Sequence, residues 1–392
     1  MNSTESPGPA LVITRNLPPL QGGMERLGWH IIDELRRDSR AHVIGPKGCR
    51  SRLPQGVTAT ELPLAPLPVF LACALVTALL QALRRQPRLI LAGSGLTAPF
   101  AWLAARIAGS HCVVYLHGLD VDAPNRLYRW LWHPVLRSFD QVLVNSRYTE
   151  QLALDIGIAA DRVAVLNPGV SLPDIGQAEE HRTEFRERYH LGASPVLLYV
   201  GRITPRKGLT DFLLGSFPKI LARKPDARLV IVGSEPKHAL NHRKGERARL
   251  TAAIDSAHLH RSVLFLQDIS DDVLRSAYFA ADVLVFPVQA HPNDHEGFGM
   301  VALEAAAHGL PTVSFAVGGV PDAVIEHRTG RLIAPGDNAA FYSAVLDYLD
   351  YPPSERSARI AEIHTHATRF AWPEFGARLR AICCAPGAPP EP

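Results

Sequence analysis

Short, nearly continuous apolar runs alternate with amphipathic stretches through the first part of the chain. ALVIT (10–14), RLILAG (88–93), HCVVYL (111–116), DQVLVN (140–145) and RVAVLN (162–167) read as strands, and ERLGWHIIDELRR (25–37) and LTAPFAWLAARIAG (96–109) as helices between them. Strands apolar at every position, separated by helices, belong to a parallel sheet covered on both faces. Residues 168–194 interrupt the rhythm with Gly169, Pro173 and Gly176 and the charged stretch EEHRTEFRERYHLG, which predicts a linker carrying one exposed helix. A second alternation follows in PVLLYVG (195–201), ARLVIVG (227–233), SVLFLQ (262–267), ADVLVFP (281–287) and PTVSFA (311–316). Two doubly wound α/β halves facing a cleft are expected, with ligands at the carboxyl ends of the strands. Residues 354–384 are helical in pattern, and 385–392 read as a frayed tail.

One apolar stretch needs separate treatment. Residues 62–80 are apolar but broken by Pro63, Pro66 and Pro68, which leaves 69–80, shorter than the ~20 residues a bilayer requires. A buried core helix or an interfacial helix is expected there. The chain of 392 residues, 47% hydrophobic and 20% charged, has the composition of soluble globular material with room for two domains. Its formal charge of +3 is too small to argue for nucleic acid. The charge is uneven, however: residues 1–172 hold 17 Lys and Arg against 12 Asp and Glu, a balance of +5 that leaves −2 for the rest. A basic first half suits a phosphorylated acceptor or an anionic membrane surface, and LYRWLWHPVLR (127–137) with Arg84, Arg85 and Arg88 suits the membrane. Cys49, Cys73, Cys112, Cys383 and Cys384 show no C-x-x-C spacing, and residues 1–10 are polar and broken by proline. A reduced cytoplasmic setting is expected, with peripheral attachment to the inner face of the cell membrane as an option.

The chemistry concentrates in HEGFGMVALEAAAHGLP (295–311). Gly297 and Gly299 allow close backbone approach to a ligand, and residues 300–308 read as a helix closed by Gly309 and Pro311. The first N–H groups of that helix can hold a phosphate, with Glu296 just before the anion site and Glu304 beyond it. One carboxylate could take sugar hydroxyls and the other ribose hydroxyls. A strand end carries Gly201-Arg202, and Lys207-Gly208 opens the next helix, so two cations stand ready for a diphosphate leaving group at an open site. The alternative is an exposed basic loop, since Arg206 also lies there and cannot belong to every contact.

Together, E-x7-E, GFG, EAAAHGLP and GGVPDAV (318–324) resemble the family-4 retaining glycosyltransferases of GT-B fold. The resemblance extends over residues 196–337 and more weakly over the first half. It implies two Rossmann-like domains: an acceptor domain at 1–170, a linker at 171–194, a donor domain at 195–370, and a segment 371–392 crossing back to the first domain. It implies that Arg202 and Lys207 hold the donor pyrophosphate, and that Gly201, Glu296, Gly297, Phe298, Gly299, Met300, Val301 and Glu304 line the donor site. It matches Gly22-Gly23 with the glycine-rich loop facing the donor, and His117 with a contact to the donor sugar. Asn145 lies at a rim position and Asp120 could orient an acceptor hydroxyl, while GGVP shapes the pocket floor. The loop VQAHPNDH (288–295) is longer than its commonest version, which weakens any transfer of donor identity.

The implied reaction moves a sugar from a nucleoside diphosphate, GDP-mannose or a UDP-sugar, to a hydroxyl of a glycan or lipid-linked acceptor. Retention is implied, by a front-face course in which the leaving phosphate accepts the hydroxyl proton. No metal or other cofactor is called for, and Asp120-Val121-Asp122 is read as no metal site. The most frequent setting for such chains is cell-envelope polysaccharide or lipopolysaccharide synthesis. A same-fold epimerase or phosphorylase, and a non-catalytic nucleotide-sugar scaffold, stay open on sequence alone.

Overall fold

A computed structural model of the chain describes residues 9–123, 125–235, 245–292 and 294–384. It divides into two compact units, Met1–Gly169 together with Trp372–Pro392, and Val170–Ala371. The expected frayed tail at 385–392 lies outside the described residues.

The first unit contains β1 (Ala10–Ile13), α1 (Gly23–Asp38), β2 (Ala41–Pro46), β3 (Thr58–Leu62), α2 (Leu67–Arg85), β4 (Leu89–Ala92), α3 (Ala98–Ala108), β5 (His111–Leu116), α4 (Arg126–Leu136), β6 (Gln141–Val144), α5 (Arg147–Asp155) and β7 (Val163–Val165). Its seven strands form one sheet in the order β3-β2-β1-β4-β5-β6-β7, every described pair parallel. β2 and β3 join the five strands expected from the apolar pattern. The periodic signal misses them because β2 ends in Gly45-Pro46 and β3, TATEL, is half polar.

α2 differs from its expectation. Pro66 is its N-cap and Pro68 lies in its first turn, where a missing N–H costs nothing, so the prolines start the helix instead of breaking it. It runs 19 residues with a mean hydropathy of 1.9 in its most apolar window, of which only 22% is buried. It is no core helix. Phe70, Ala74, Ala78 and Ala82, at helical spacing of four, make one fully buried stripe against the sheet. Its flanking strands β3 and β4 both pair within one parallel sheet, so the helix is a crossover and not a bilayer span.

The second unit contains α6 (Ala178–Arg188), β8 (Val196–Val200), α7 (Leu209–Gly215), α8 (Phe217–Arg223), β9 (Arg228–Val232), α9 (Glu246–Ser256), β10 (Val263–Leu266), α10 (Asp271–Ala280), β11 (Val283–Phe286), α11 (Met300–Ala307), β12 (Thr312–Phe315), α12 (Val320–Ala323), β13 (Gly330–Ile333), α13 (Asn338–Leu349) and α14 (Arg356–Ala367). Its parallel sheet runs β10-β9-β8-β11-β12-β13, with the short GRLI strand β13 added to the five expected. α6 is not an exposed linker helix. It packs on α10 with Phe185 buried, and Arg182 and Arg186 each reach Asp282 at 3.0 Å, where Arg356 also pairs. Burial would raise the Asp282 carboxyl, but these guanidiniums hold it below the ordinary range.

α15 (Trp372–Cys384) belongs to the first unit. Trp372 stacks on His30 of α1 at 3.6 Å between ring centroids, and Arg380 pairs with Glu34.

Candidate active site

The expected anion-binding residues of the second unit converge around one carboxylate. Gly208, at φ +66°, ends the loop after β8, and any side chain there would strike the Pro287 carbonyl. That close approach brings Arg206 and Lys207 beside the segment after β11. Both reach the same oxygen of Glu296: Arg206 Nη1 lies at 2.6 Å and Lys207 Nζ at 2.8 Å from Oε2. The Lys207 ammonium also sits over the Phe286 ring, 4.6 Å from its centroid. On the other side Gly318, at φ +57°, lies against the Glu296 carbonyl, which accepts from Gly319 N–H at 2.8 Å. GGVP therefore fixes the backbone of Glu296.

Arg206 and Lys207 are only 6% and 7% exposed, so the loop is neither an exposed basic turn nor, at Lys207, an open site. Burial pushes the Lys207 ammonium down to about 8, with Glu296 opposing and Arg206 adding to the fall. Burial acts to raise the Glu296 carboxyl, but Lys207 and Arg206 outweigh it and hold the group at about 2. Lys207 is charged and paired at neutral pH. Arg202, by contrast, is exposed, and its guanidinium makes no hydrogen bond or ion pair with another described residue. Its carbonyl accepts from the buried Tyr199 hydroxyl at 3.2 Å, which anchors the loop beneath it.

Arg206 is a site residue that the motifs alone do not single out. It donates to the His295 carbonyl at 3.1 Å, pairs with Asp294 at 3.1 Å, and accepts from Gln289 N–H at 2.7 Å through its own carbonyl. It thus holds both ends of the long 288–295 loop as well as Glu296. A signal existed: two adjacent cations at the start of α7 oppose the helix dipole unless an acid answers them.

α11 begins after Gly299, which caps it in a left-handed conformation with no side-chain cap, leaving its first turn available for an anion. Phe298 is buried in the core, so only its backbone can meet a ligand, while Met300 and Val301 are half-buried beside it. Glu304 is 9% exposed and accepts from the buried Tyr278 hydroxyl at 2.8 Å. Tyr278 stacks on His308, whose imidazole burial pushes down to about 4.

In the first unit, Gly22 is exposed and caps α1, which starts at Gly23. His117 follows β5 directly, with Nε2 2.9 Å from the Gly93 carbonyl. A carbonyl only accepts, so Nε2 carries the proton and Nδ1 is left as an acceptor suited to a hydroxyl. Asp120 accepts from two backbone N–H groups, Gly95 at 2.8 Å and His117 at 2.9 Å, which gives it the job of shaping this turn. Asn145 is buried: its amide donates to the His117 carbonyl at 3.3 Å and accepts from Thr149 at 2.7 Å. It positions His117 and does not reach outward to an acceptor.

Two family models match the chain, the glycosyl transferase 4-like domain over residues 22–169 and glycosyl transferases group 1 over residues 181–365. The chain belongs to glycosyltransferase family 4. It is a hexosyltransferase that uses a nucleotide-sugar donor. The GDP-mannose-dependent alpha-(1-6)-phosphatidylinositol monomannoside mannosyltransferase of Mycolicibacterium smegmatis is 29% identical, over 95% of this chain and 97% of its own length. The D-inositol 3-phosphate glycosyltransferase of Streptomyces coelicolor is also 29% identical, but the match covers 72% of this chain and 66% of that protein. Among solved structures, Anabaena Alr3699/HepE in complex with UDP and glucose superimposes with a TM-score of 0.75 at 20% identity, covering 96% of this chain and 99% of that one. Sucrose-phosphate synthase from Thermosynechococcus elongatus gives 0.77 at 20% identity, covering 96% and 98%. These likenesses establish the GT-B fold.

Proposed function

We propose that this family-4 enzyme transfers mannose from GDP-mannose, with retention, to a hydroxyl of an inositol-containing lipid acceptor. The observation that carries the transfer chemistry is the graded cation set. Arg202 is exposed and uncommitted, Lys207 is buried and charged beside Glu296, and the uncapped start of α11 follows directly. A diphosphate leaving group gains negative charge as its bond to the sugar breaks, and fixed cations and N–H groups stabilise that charge more than the ground state. Glu296, fixed by Arg206 and Gly319, is oriented for sugar hydroxyls. Glu304 takes the ribose hydroxyls. The departing phosphate accepts the proton of the incoming hydroxyl on the same face, so the protein supplies position and electrostatics. His117 Nδ1 serves as an acceptor for a sugar hydroxyl.

The donor and acceptor rest on the relatives' names: a mannosyltransferase acting on a phosphatidylinositol mannoside, and glycosyltransferases acting on inositol 3-phosphate. They favour glycolipid synthesis over lipopolysaccharide. The test is a thermal-shift screen with GDP, UDP, ADP, CDP and TDP, followed by transfer from the matching mannose donor to phosphatidylinositol mannoside. Ligand at roughly 100 times its dissociation constant contributes ~2.7 kcal/mol, a shift of several degrees. GDP should give the shift, and the product should keep the α configuration by NMR. A shift with UDP alone, or an inverted product, would overturn the reading.

A further inference from the structure

Of the twelve large hydrophobic side chains exposed among the described residues, nine lie on α2, α3 and α4. The most exposed are Trp130 at 72%, Leu127 at 62%, Val76 at 57% and Leu83 at 56%, with Leu80 and Ile107 beside them. The topology places all three helices on one face. The crossovers β3→β4, β4→β5 and β5→β6 step in the same direction along the sheet, so right-handed connections carry their helices to the same side. α2 packs along α3, and α3 along α4. The crossovers through α1 and on to β3 step the other way, which puts α1 on the opposite face.

Charge divides in the same manner. α2, α3 and α4 contain no Asp or Glu, and their Arg84, Arg85, Arg106, Arg126 and Arg129 are all exposed. α1, on the other face, sets Glu25, Asp33, Glu34 and Asp38 against Arg26, Arg36 and Arg37, so that face is mixed in charge. By the same rule α5 lies on this side too, beyond α4, and brings Glu150 and Asp155 to its far edge. Across α2, α3 and α4 themselves, aliphatic and Trp side chains point outward among guanidiniums with no carboxylate on the three helices, the pattern of an interfacial surface.

We propose that the α2–α3–α4 face docks this enzyme on an anionic lipid bilayer, with Trp130, Leu127, Val76 and Leu83 entering the headgroup boundary and the five arginines meeting lipid phosphates. The surface is distinct from the residues assigned to transfer, so it does not depend on which donor or acceptor is used. Charge complementarity selects the bilayer over a second copy of the chain, because two such faces would repel each other across a basic interface.

The experiment is co-sedimentation of the full chain with vesicles of phosphatidylcholine alone or mixed with phosphatidylglycerol. Binding should require the anionic lipid and weaken with salt. Each basic residue near an anionic surface is worth about a fivefold change in partition, so Arg126→Ala with Arg129→Ala should lower it about 25-fold. Val76→Ser with Trp130→Ser should also reduce binding, and both pairs should leave melting and the affinity for free nucleoside diphosphate unchanged because these side chains are exposed and lie outside the donor site. Arg36→Ala with Arg37→Ala, on α1, should have no effect on vesicle binding. The proposal is overturned by no binding to mixed vesicles, by equal loss in the α1 variant, or by dimerisation that Val76→Ser with Trp130→Ser abolishes while vesicle binding stays absent.

Discussion

Replacing Glu296 by Gln removes one negative charge and almost no volume, and it strikes the centre of the cation set. Opposite unit charges about 3 Å apart interact by roughly 5 kcal/mol at an effective dielectric of about 20. If relaxation leaves only a quarter of that, the loss is about one pKa unit on Lys207. Lys207 begins at about 8, already pushed down by burial, so it would fall to about 7 or below. The sign is fixed: the ammonium attracts the diphosphate, so affinity is present below the Lys207 pKa and is lost as pH rises through it. Wild-type affinity for GDP or UDP should therefore fall across about pH 8, and in Glu296→Gln the fall should centre at least one unit lower. At pH 6 the variant should bind at least as well as wild type, because the competing carboxylate is gone. The two curves cross. Loss of one charged hydrogen bond, ~1.5–3 kcal/mol, sets the drop at roughly ten- to a hundredfold. Calorimetric titration from pH 6 to pH 9.5 with free nucleoside diphosphate reads this without needing turnover. Breaking a buried pair should also cost about 3–5 kcal/mol of stability, a fall of roughly 10 °C in Tm. Superimposable pH curves for the two proteins would refute the assignment of Lys207 as the titrating cation.

Arg202→Ala should lower turnover by about two to three orders of magnitude, the scale of one oxyanion stabiliser, with Tm unchanged because the side chain is exposed; near-normal turnover would remove it from the mechanism. Glu304→Ala should weaken free nucleoside diphosphate and intact donor alike by about 1.5–3 kcal/mol, and should also lower Tm because the Tyr278 hydroxyl loses its acceptor; an effect on intact donor alone would place Glu304 on the sugar side. Transfer should persist in excess EDTA, since protein cations face the leaving group; loss restored by Mn²⁺ would point to Asp120-Val121-Asp122 as ligands.

Much of the architecture could be read from apolar periodicity, and the exceptions have physical causes. β2 escapes because Gly45-Pro46 closes its apolar run, and β3 and β13 because short or half-polar edge strands need little apolar content to pair. α2 escapes because proline within an apolar run reads as a break, whereas at a helix start it is compatible with the fold. α6 is charged enough to look solvated, yet Arg182 and Arg186 face Asp282 about a hundred residues later in the chain. Its packing depends on a partner that local composition does not reveal.

The site divides along the same line. Residue types and spacing in GRITPRKG and E-x7-E point to diphosphate chemistry, because each motif is local and its glycines and helix start carry meaning by themselves. Which cation does what is a tertiary fact. Arg206 and Glu296 lie 90 residues apart, and nothing near either one says they meet at 2.6 Å. That contact changes the roles around it. With Arg206 and Glu296 engaged, Lys207 can stay charged while buried, and the exposed Arg202 becomes the cation that can first meet an incoming diphosphate. The same contact fastens the long loop to the strand end, so a variant that loosens Arg206 would disturb the loop, the acid and the lysine together. Substitutions in this cluster are therefore not additive, and a double-mutant cycle on Arg206 and Glu296 should return a coupling term of about 0.5–3 kcal/mol.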